Sequence, residues 1–313
     1  MIRKILILLF SLKPFKRIIP SLIRKLSFSR TGSIILLDDF KINLFLTSSI
    51  DREIYLKNEY EKDQLDFVKK ELLSQKYDYF FDIGAYIGYY SLSLCKLVSN
   101  TAAFEPNQQN FQRLSKNVEI NNFNIICHNL GCSDSKNKLK LWYTDTNKRG
   151  GSSILQDTDK EINKYDKSRL FFEEIETDKL DNLYPLKNKK IFFKIDVERH
   201  ELNVLKGASD ILSNNQCYLQ IEIFPHLQDE ILSFLNNNYG NGQPTKNLFH
   251  QYDRNLYMND SSAGCNEDAS SDTNLGYLIS CFESKNSRII FEGCFKSPCS
   301  SSANRILKYI YYD

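Results

Sequence analysis

An apolar strand that breaks on a glycine turn and re-enters as a helix constrains this chain more than any other stretch: Phe80-Phe81-Asp82-Ile83-Gly84-Ala85-Tyr86-Ile87-Gly88. Residues 79–83 form a short aromatic and aliphatic run, the pattern of a buried strand. Gly84 and Gly88 end it, and an apolar, helix-like segment follows over 89–98. A strand, a glycine turn and a helix N-terminus together let a ligand approach bare backbone. The next strand, 101–104, is followed directly by the acid Glu105. In nucleotide-binding α/β folds an acid there accepts hydrogen bonds from ribose hydroxyls. The glycines are spaced Gly-x-x-x-Gly behind Asp82, not Gly-x-Gly-x-x-Gly, so a pyrophosphate cradle fits poorly. A nucleoside ligand without a pyrophosphate fits better, and S-adenosylmethionine is the expected one.

Two later segments repeat the theme. Residues 191–195 read as a buried strand that opens into Asp196-Val197-Glu198-Arg199-His200-Glu201 and then a helix through Gly207 and Ala208. Residues 218–223 make a further strand with Glu222 near its end. With these in place the chain resembles the FkbM-type methyltransferase family. The pattern Asp-Ile-Gly-Ala-x-Ile-Gly, Phe-Glu-Pro, Lys-Ile-Asp-Val-Glu-x-His-Glu-x-x-x-Leu-x-Gly-Ala and a later Ile-Glu-Ile is present in order, within roughly 55–257. The resemblance implies a class I methyltransferase fold, S-adenosylmethionine as cofactor, and transfer to a hydroxyl of a glycan or a polyketide-type product. Two positions depart from the family: Arg199 stands where glycine is usual, and Tyr86 where asparagine is usual. If the backbone at Arg199 needs positive φ, a bulky residue costs ~1 kcal/mol or more. A guanidinium there can instead meet an anionic substrate group.

From residue 79 on, strand and helix patterns alternate, which predicts an α/β, Rossmann-like doubly wound, mostly parallel sheet. The rhythm pauses over 130–190, an insert after the third core strand with strand-like 138–143 and 171–177, placed to carry substrate contacts. The expected division is 1–54 as a basic apolar segment and small cap, 55–258 as the methyltransferase domain, and 259–313 as a cysteine-containing tail. The cap holds a strand pair in 33–47 turning at Asp38-Asp39, and a closing strand pair is expected within 248–258. Residues 259–273 read as linker. Truncation after Met258 is therefore expected to leave folding and cofactor binding intact.

The net charge of +2 hides an asymmetry: all eight charged residues before Asp38 are basic. The rest is mildly acidic, which argues against a broad nucleic-acid surface, and the resemblance implies a small-molecule or glycan acceptor. The run 5–10 is too short to span a bilayer, which takes ~20 apolar residues. Phe15, Ile18, Ile19, Leu22, Ile23 and Leu26 alternate with Lys16, Arg17, Arg24 and Lys25 at helical spacing. Either residues 1–30 lie on an anionic membrane surface, or they pack on the domain. The expectation is a cytoplasmic protein, with peripheral membrane contact as one of the two readings of residues 1–30, and the leading substrate is a membrane-associated glycan or its lipid-linked precursor. Cys95, Cys127, Cys132 and Cys217 read as small buried hydrophobes of a reducing compartment. Cys265, Cys281, Cys294 and Cys299 lack the Cys-x-x-Cys spacing of a zinc site.

Methyl transfer to a hydroxyl needs the acceptor oxygen held in line and its proton accepted, with no nucleophilic side chain. The cofactor cradle is expected from Asp82, Gly84 and Gly88, with Glu105 on the ribose and Asp134 toward the adenine amino group. Asp196, His200, Glu201 and Glu222, with Glu198 beside them, are the candidates for chemistry, because open α/β sheets hold ligands at strand carboxyl ends. His200 suits a base through an ordinary pKa of ~6.5; otherwise it is a first-turn residue facing solvent. Glu201 is a candidate too, or serves only the positive helix N-terminus. Asp196, Glu198 and Glu222 admit a divalent metal, though nothing in their spacing demands one. The rivals are a degenerate methyltransferase fold that only binds a partner, and a nicotinamide-dependent oxidoreductase, which the missing third glycine disfavours.

Overall fold

The computed structural model describes residues 2–26, 32–143, 153–154, 171–223, 227–239, 250–253 and 274–282. Expectations placed on 254–273, on Cys265, Cys294 and Cys299, and on the Cys281 side chain fall outside them. Two helices, α1 (Ile2–Ser11) and α2 (Ile18–Leu26), are separated by a 3-10 turn at Lys13–Phe15, where Pro14 fits a first-turn position. None of the described helices is long and apolar enough to cross a membrane. The hairpin β1 (Ser33–Leu37) and β2 (Phe40–Leu44) follows, antiparallel about Asp38 as expected. Next come α3 (Ser49–Lys57), whose first turn Ser48 caps, and α4 (Lys62–Ser74). The boundary expected after residue 54 therefore cuts α3, and the cap and the domain are joined by a helix.

The core proceeds through β3 (Tyr79–Ile83), α5 (Tyr89–Leu94), β4 (Asn100–Phe104), α6 (Gln108–Glu119) and β5 (Ile125–His128). The insert contributes β6 (Gly131–Cys132), β7 (Asn137–Tyr143), β8 (Ser153–Ile154) and β9 (Phe171–Asp178), which make a separate four-stranded sheet in the order β6-β9-β7-β8. After α7 (Leu180–Leu183) and β10 (Lys190–Ile195), the single helix expected from Glu201 onward is two, α8 (Glu201–Gly207) and α9 (Ser209–Asn214), broken at Ala208. The chain ends its described course with β11 (Gln216–Ile223), α10 (Gln228–Tyr239), β12 (His250–Asp253) and β13 (Asn274–Phe282).

The main sheet runs β12-β13-β11-β10-β3-β4-β5. Its five strands from β11 to β5 are parallel, and β13 is reversed between β11 and β12. The closing partner of β12 is thus not a neighbour within 248–258 but a strand inside the segment assigned to the tail. Successive aromatics divide the core, because strand side chains alternate between faces. Phe80 and Phe192 pack with α4, α5 and the β1–β2 hairpin, while Phe81 and Phe193 pack with α8 to α10. All four are essentially inaccessible to water, each worth ~1.5–3 kcal/mol of burial. The order reverses between β3 and β10, and a crevice opens there at the carboxyl ends of β3, β4 and β10, where such sheets hold ligands.

Candidate active site

Gly84 and Gly88 both adopt φ of +85°, a region open to glycine at little cost. A Cβ on Gly84 would also stand 1.8 Å from the backbone oxygen of Asp196, so this glycine lets β3 and the end of β10 meet. Gly84 and Ala85 N–H groups donate to Phe104 O at 3.0 and 2.9 Å, tying the turn to β4. Asp82 Oδ2 accepts from Ser91 N at 3.0 Å and Ser91 Oγ at 2.6 Å, anchoring α5. Its Oδ1 is buried without a hydrogen-bond partner. Burial raises the Asp82 pKa, while Lys194 opposes the rise. Glu105 closes the opposite side: Oε2 accepts from Tyr86 N and Oε1 from Asn107 N, each at 2.9 Å. Burial nevertheless pushes its pKa up to about 8. The cleft between these groups encloses about 1040 Å³ including its solvent-open mouth.

Of the residues singled out from sequence, Asp82, Gly84, Tyr86, Glu105, Asp196, Glu198 and His200 line this cleft, whereas Gly88, Asp134, Arg199, Glu201 and Glu222 do not. Gly88 acts from behind as the N-cap of α5. Asp134 is engaged elsewhere, accepting from Ser135 Oγ at 3.1 Å and Asn203 Nδ2 at 3.0 Å. His200 is buried rather than solvent-facing, with Nε2 paired to Ser133 Oγ at 2.9 Å. Burial lowers its pKa to about 4, only partly offset by Asp134, below the ordinary imidazole value on which its role as a base rests. Glu201 is fully buried and accepts the Arg199 N–H at 3.0 Å, the carboxylate-on-helix-start role. Burial pushes its pKa up to about 8. Glu222 is buried along β11. Glu198 and Arg199 stand at φ +52° and +83°, so the position where the family favours glycine does take the left-handed backbone here.

Sequence reasoning passed over the ionic centre of the cleft. Lys194 points inward from β10, buried, with Nζ 3.0 Å from Asp196 Oδ2 and 4.8 Å from the centre of the Tyr90 ring. Burial alone would lower its pKa, yet Asp196, Asp82 and Glu61 together raise it, so the ammonium stays charged. Glu61, at the start of α4, accepts from Tyr90 Oη at 3.0 Å and has its own pKa raised by burial. The available signal was a lysine inside the apolar run Ile-Phe-Phe-Lys-Ile, since an unpaired charge is not kept in a central strand. A second buried network fixes the turn from the far side. Tyr86 Oη bonds Asp51 Oδ1 at 3.0 Å and Ser48 Oγ at 3.0 Å, and Arg113 pairs with Asp51 while covering Phe45. Tyr86 thus replaces asparagine with a side chain reaching back to α3.

The residues fit an adenosyl cofactor: an orphaned acceptor on Asp82, bare backbone at Gly84, and an acid at the end of β4. Among the described residues no three His, Cys, Asp or Glu side chains group as a metal site, and Asp196 is paired with a lysine.

Six strands running the same way, β12 among them, with the reversed β13 set between β11 and β12, make the class I methyltransferase fold. Residues 82–241 match the Methyltransferase FkbM domain, just over half of the 313-residue chain. The chain belongs to the FkbM methyltransferase family. It is 26% identical over 154 residues to the hexuronic acid methyltransferase AglP of Haloferax volcanii, covering 49% of this chain and 59% of that protein. The chain thus spans less than two thirds of the relative's length. Solved structures resemble it distantly. The methyltransferase FkbM from Methylobacillus flagellatus KT is 16% identical with a TM-score of 0.38, over 64% of this chain and 43% of that one. P. horikoshii TYW2 in complex with MeSAdo is 13% identical with a TM-score of 0.42, over 86% and 83%.

Proposed function

We propose that this protein transfers a methyl group from S-adenosylmethionine to a hydroxyl oxygen of a sugar-containing acceptor. The observation that carries the reading is the buried Glu105 carboxylate facing the Gly84 turn across one cleft. Glu105 would accept the ribose hydroxyls, and Asp82 Oδ1 would take a donor from the same cofactor. Asp134 can serve the adenine amino group once its bond to Asn203 opens. When bound, the cofactor supplies an electrophilic methyl group on a sulfonium.

Asp196 is the candidate to accept the acceptor's hydroxyl proton, because it lines the cleft and Lys194 holds its carboxylate in place. Glu201 serves instead to hold the turn before α8. His200, neutral and bonded to Ser133, positions the loop. Glu222 lies behind the cleft lining. The glycan acceptor is supported by the family and by the relative's name as a hexuronic acid methyltransferase. Peripheral contact of residues 1–30 with a membrane belongs to the same reading, with the acceptor presented there.

Thermal unfolding with S-adenosylhomocysteine and with NAD tests the cofactor, because a ligand that binds only the native state raises its stability. S-adenosylhomocysteine is expected to raise the melting temperature and NAD to leave it unchanged. Stabilisation by NAD alone would replace this reading with an oxidoreductase.

A further inference from the structure

Helices α1 and α2 are apolar on two sides. The inner side packs: Ile19 and Ile23 are buried against Leu56 of α3, with Leu6, Leu9 and Phe10 beside them. Arg3 fastens this side by donating from Nε to Tyr55 O at 3.0 Å, its guanidinium 5.0 Å above the Tyr55 ring. Among the described residues, nothing buries the outer side. Ile2, Ile5, Leu8, Leu12, Ile18 and Leu22 are exposed, the least of them by 42% and the most by 73%. On α1 these residues fall three or four apart and so share one face. Scattered exposed apolar residues need no explanation, but among the described residues half of the twelve large ones sit on this one helical pair.

Charge decides what covers the face. Lys4, Lys13, Lys16, Arg17, Arg24 and Lys25 are all exposed around it, and no acid precedes Asp38. A second copy docking through the same face would bring two such cationic sets together. An anionic bilayer attracts them, and the apolar stripe can enter the boundary between headgroups and acyl chains. The packing adds a consequence. Tyr55 and Leu56 of α3 receive α1 and α2, while Ile50 and Ile54 of the same helix line the cleft.

We propose that the outer face of α1 and α2 seats on an anionic lipid surface and so holds α3, one wall of the cleft, beside the membrane. Resting on the methyltransferase reading for what the cleft does, the acceptor is then a lipid-carried one. On this proposal the helical pair packs on the domain through one face and lies on the membrane through the other.

Sedimentation of the full chain with phosphatidylcholine vesicles, with and without phosphatidylglycerol, tests this. Binding is expected to the mixed vesicles and to be weak to phosphatidylcholine alone. Lys13→Glu with Lys16→Glu is expected to weaken it by about tenfold or more. Ile5→Asp with Leu8→Asp is expected to abolish it with little change in melting temperature, because neither side chain is part of a buried cluster among the described residues. No binding to the mixed vesicles, or wild-type binding by the Ile5→Asp, Leu8→Asp variant, overturns the proposal. So does a dimer that this variant dissociates while the wild type ignores lipid. Failure to bind S-adenosylhomocysteine would remove the methyltransferase reading and leave the vesicle result standing.

Discussion

Glu105 Oε2 accepts the backbone N–H of Tyr86 at 2.9 Å, so the acid ending β4 is bonded to the glycine turn ending β3. The pair sits where burial pushes the Glu105 pKa from 4.5 up to about 8. A raised carboxyl pKa means that the folded protein holds a proton that the unfolded chain releases. Stability from this group is therefore fully present below pH 4.5 and is lost as pH rises from there through about 8. Glu201, also raised to about 8, acts in the same direction. Urea unfolding of the ligand-free protein across that range is expected to show falling stability with pH, with a shallower slope in Glu105→Gln. An identical slope in that variant would show that Glu105 does not titrate in this way.

Gly84 and Gly88 share one φ but not one neighbour. A Cβ at Gly84 meets the backbone oxygen of Asp196, which cannot swing away, whereas at Gly88 it meets the tip of Leu114 at 2.5 Å. Both alanine variants carry left-handed strain of ~1–2 kcal/mol. Gly84→Ala must also push β3 and β10 apart. Chemical denaturation should show Gly84→Ala to be the more destabilised of the two; equal losses would mean that the close approach to Asp196 is not rigid.

The same contact marks how far sequence alone reaches. Residues 79–83 and 218–223, the hairpin about Asp38 and the acid after β4 are legible because each is a local pattern of period, turn residue or strand end. Lys194, Glu61, Asp51 and Arg113 are not, since their partners lie far along the chain and meet only after the sheet closes. Arg113 reaches Asp51 across 62 positions. The burial of His200 is not legible for a related reason: its place at a helix start carries no mark of burial, and its partner Ser133 lies 67 positions away. The strand at Asn274–Phe282 escaped notice because a strand placed between two others carries no distinctive mark of its own.

Lys194→Met tests the ionic centre. Removing the cation that faces Asp196, Asp82 and Glu61 weakens the compensation of these acids, a loss of about 3 kcal/mol or more. Because the remaining acids then favour their protonated forms, the deficit should shrink as pH is lowered. A variant as stable as wild type at neutral pH would show that Lys194 is solvated rather than paired.

Truncation after Met258 now carries the opposite expectation from the one drawn from sequence. β13 pairs with β11 from Cys217 through Ile223, so its removal exposes seven residues of a buried strand as an edge. The shortened chain is expected to aggregate or to lose its cooperative melt. A soluble, cooperatively melting fragment would mean that β13 is dispensable to the sheet.

Asp196→Asn separates chemistry from binding. Methyl transfer is expected to fall ~10²–10⁴-fold, the contribution of a positioned base. The affinity for S-adenosylhomocysteine should stay at the wild-type level. Equal activity of the variant would remove Asp196 from proton transfer.

Calorimetric titration of S-adenosylhomocysteine into the wild type and Glu105→Ala tests the central claim most directly. The wild type should bind, and the variant should bind about tenfold more weakly, since two hydrogen bonds to the ribose are lost at ~0.5–1.5 kcal/mol each. Equal affinity in the two proteins, or no binding by the wild type, would contradict the assignment of this cleft to an adenosyl cofactor.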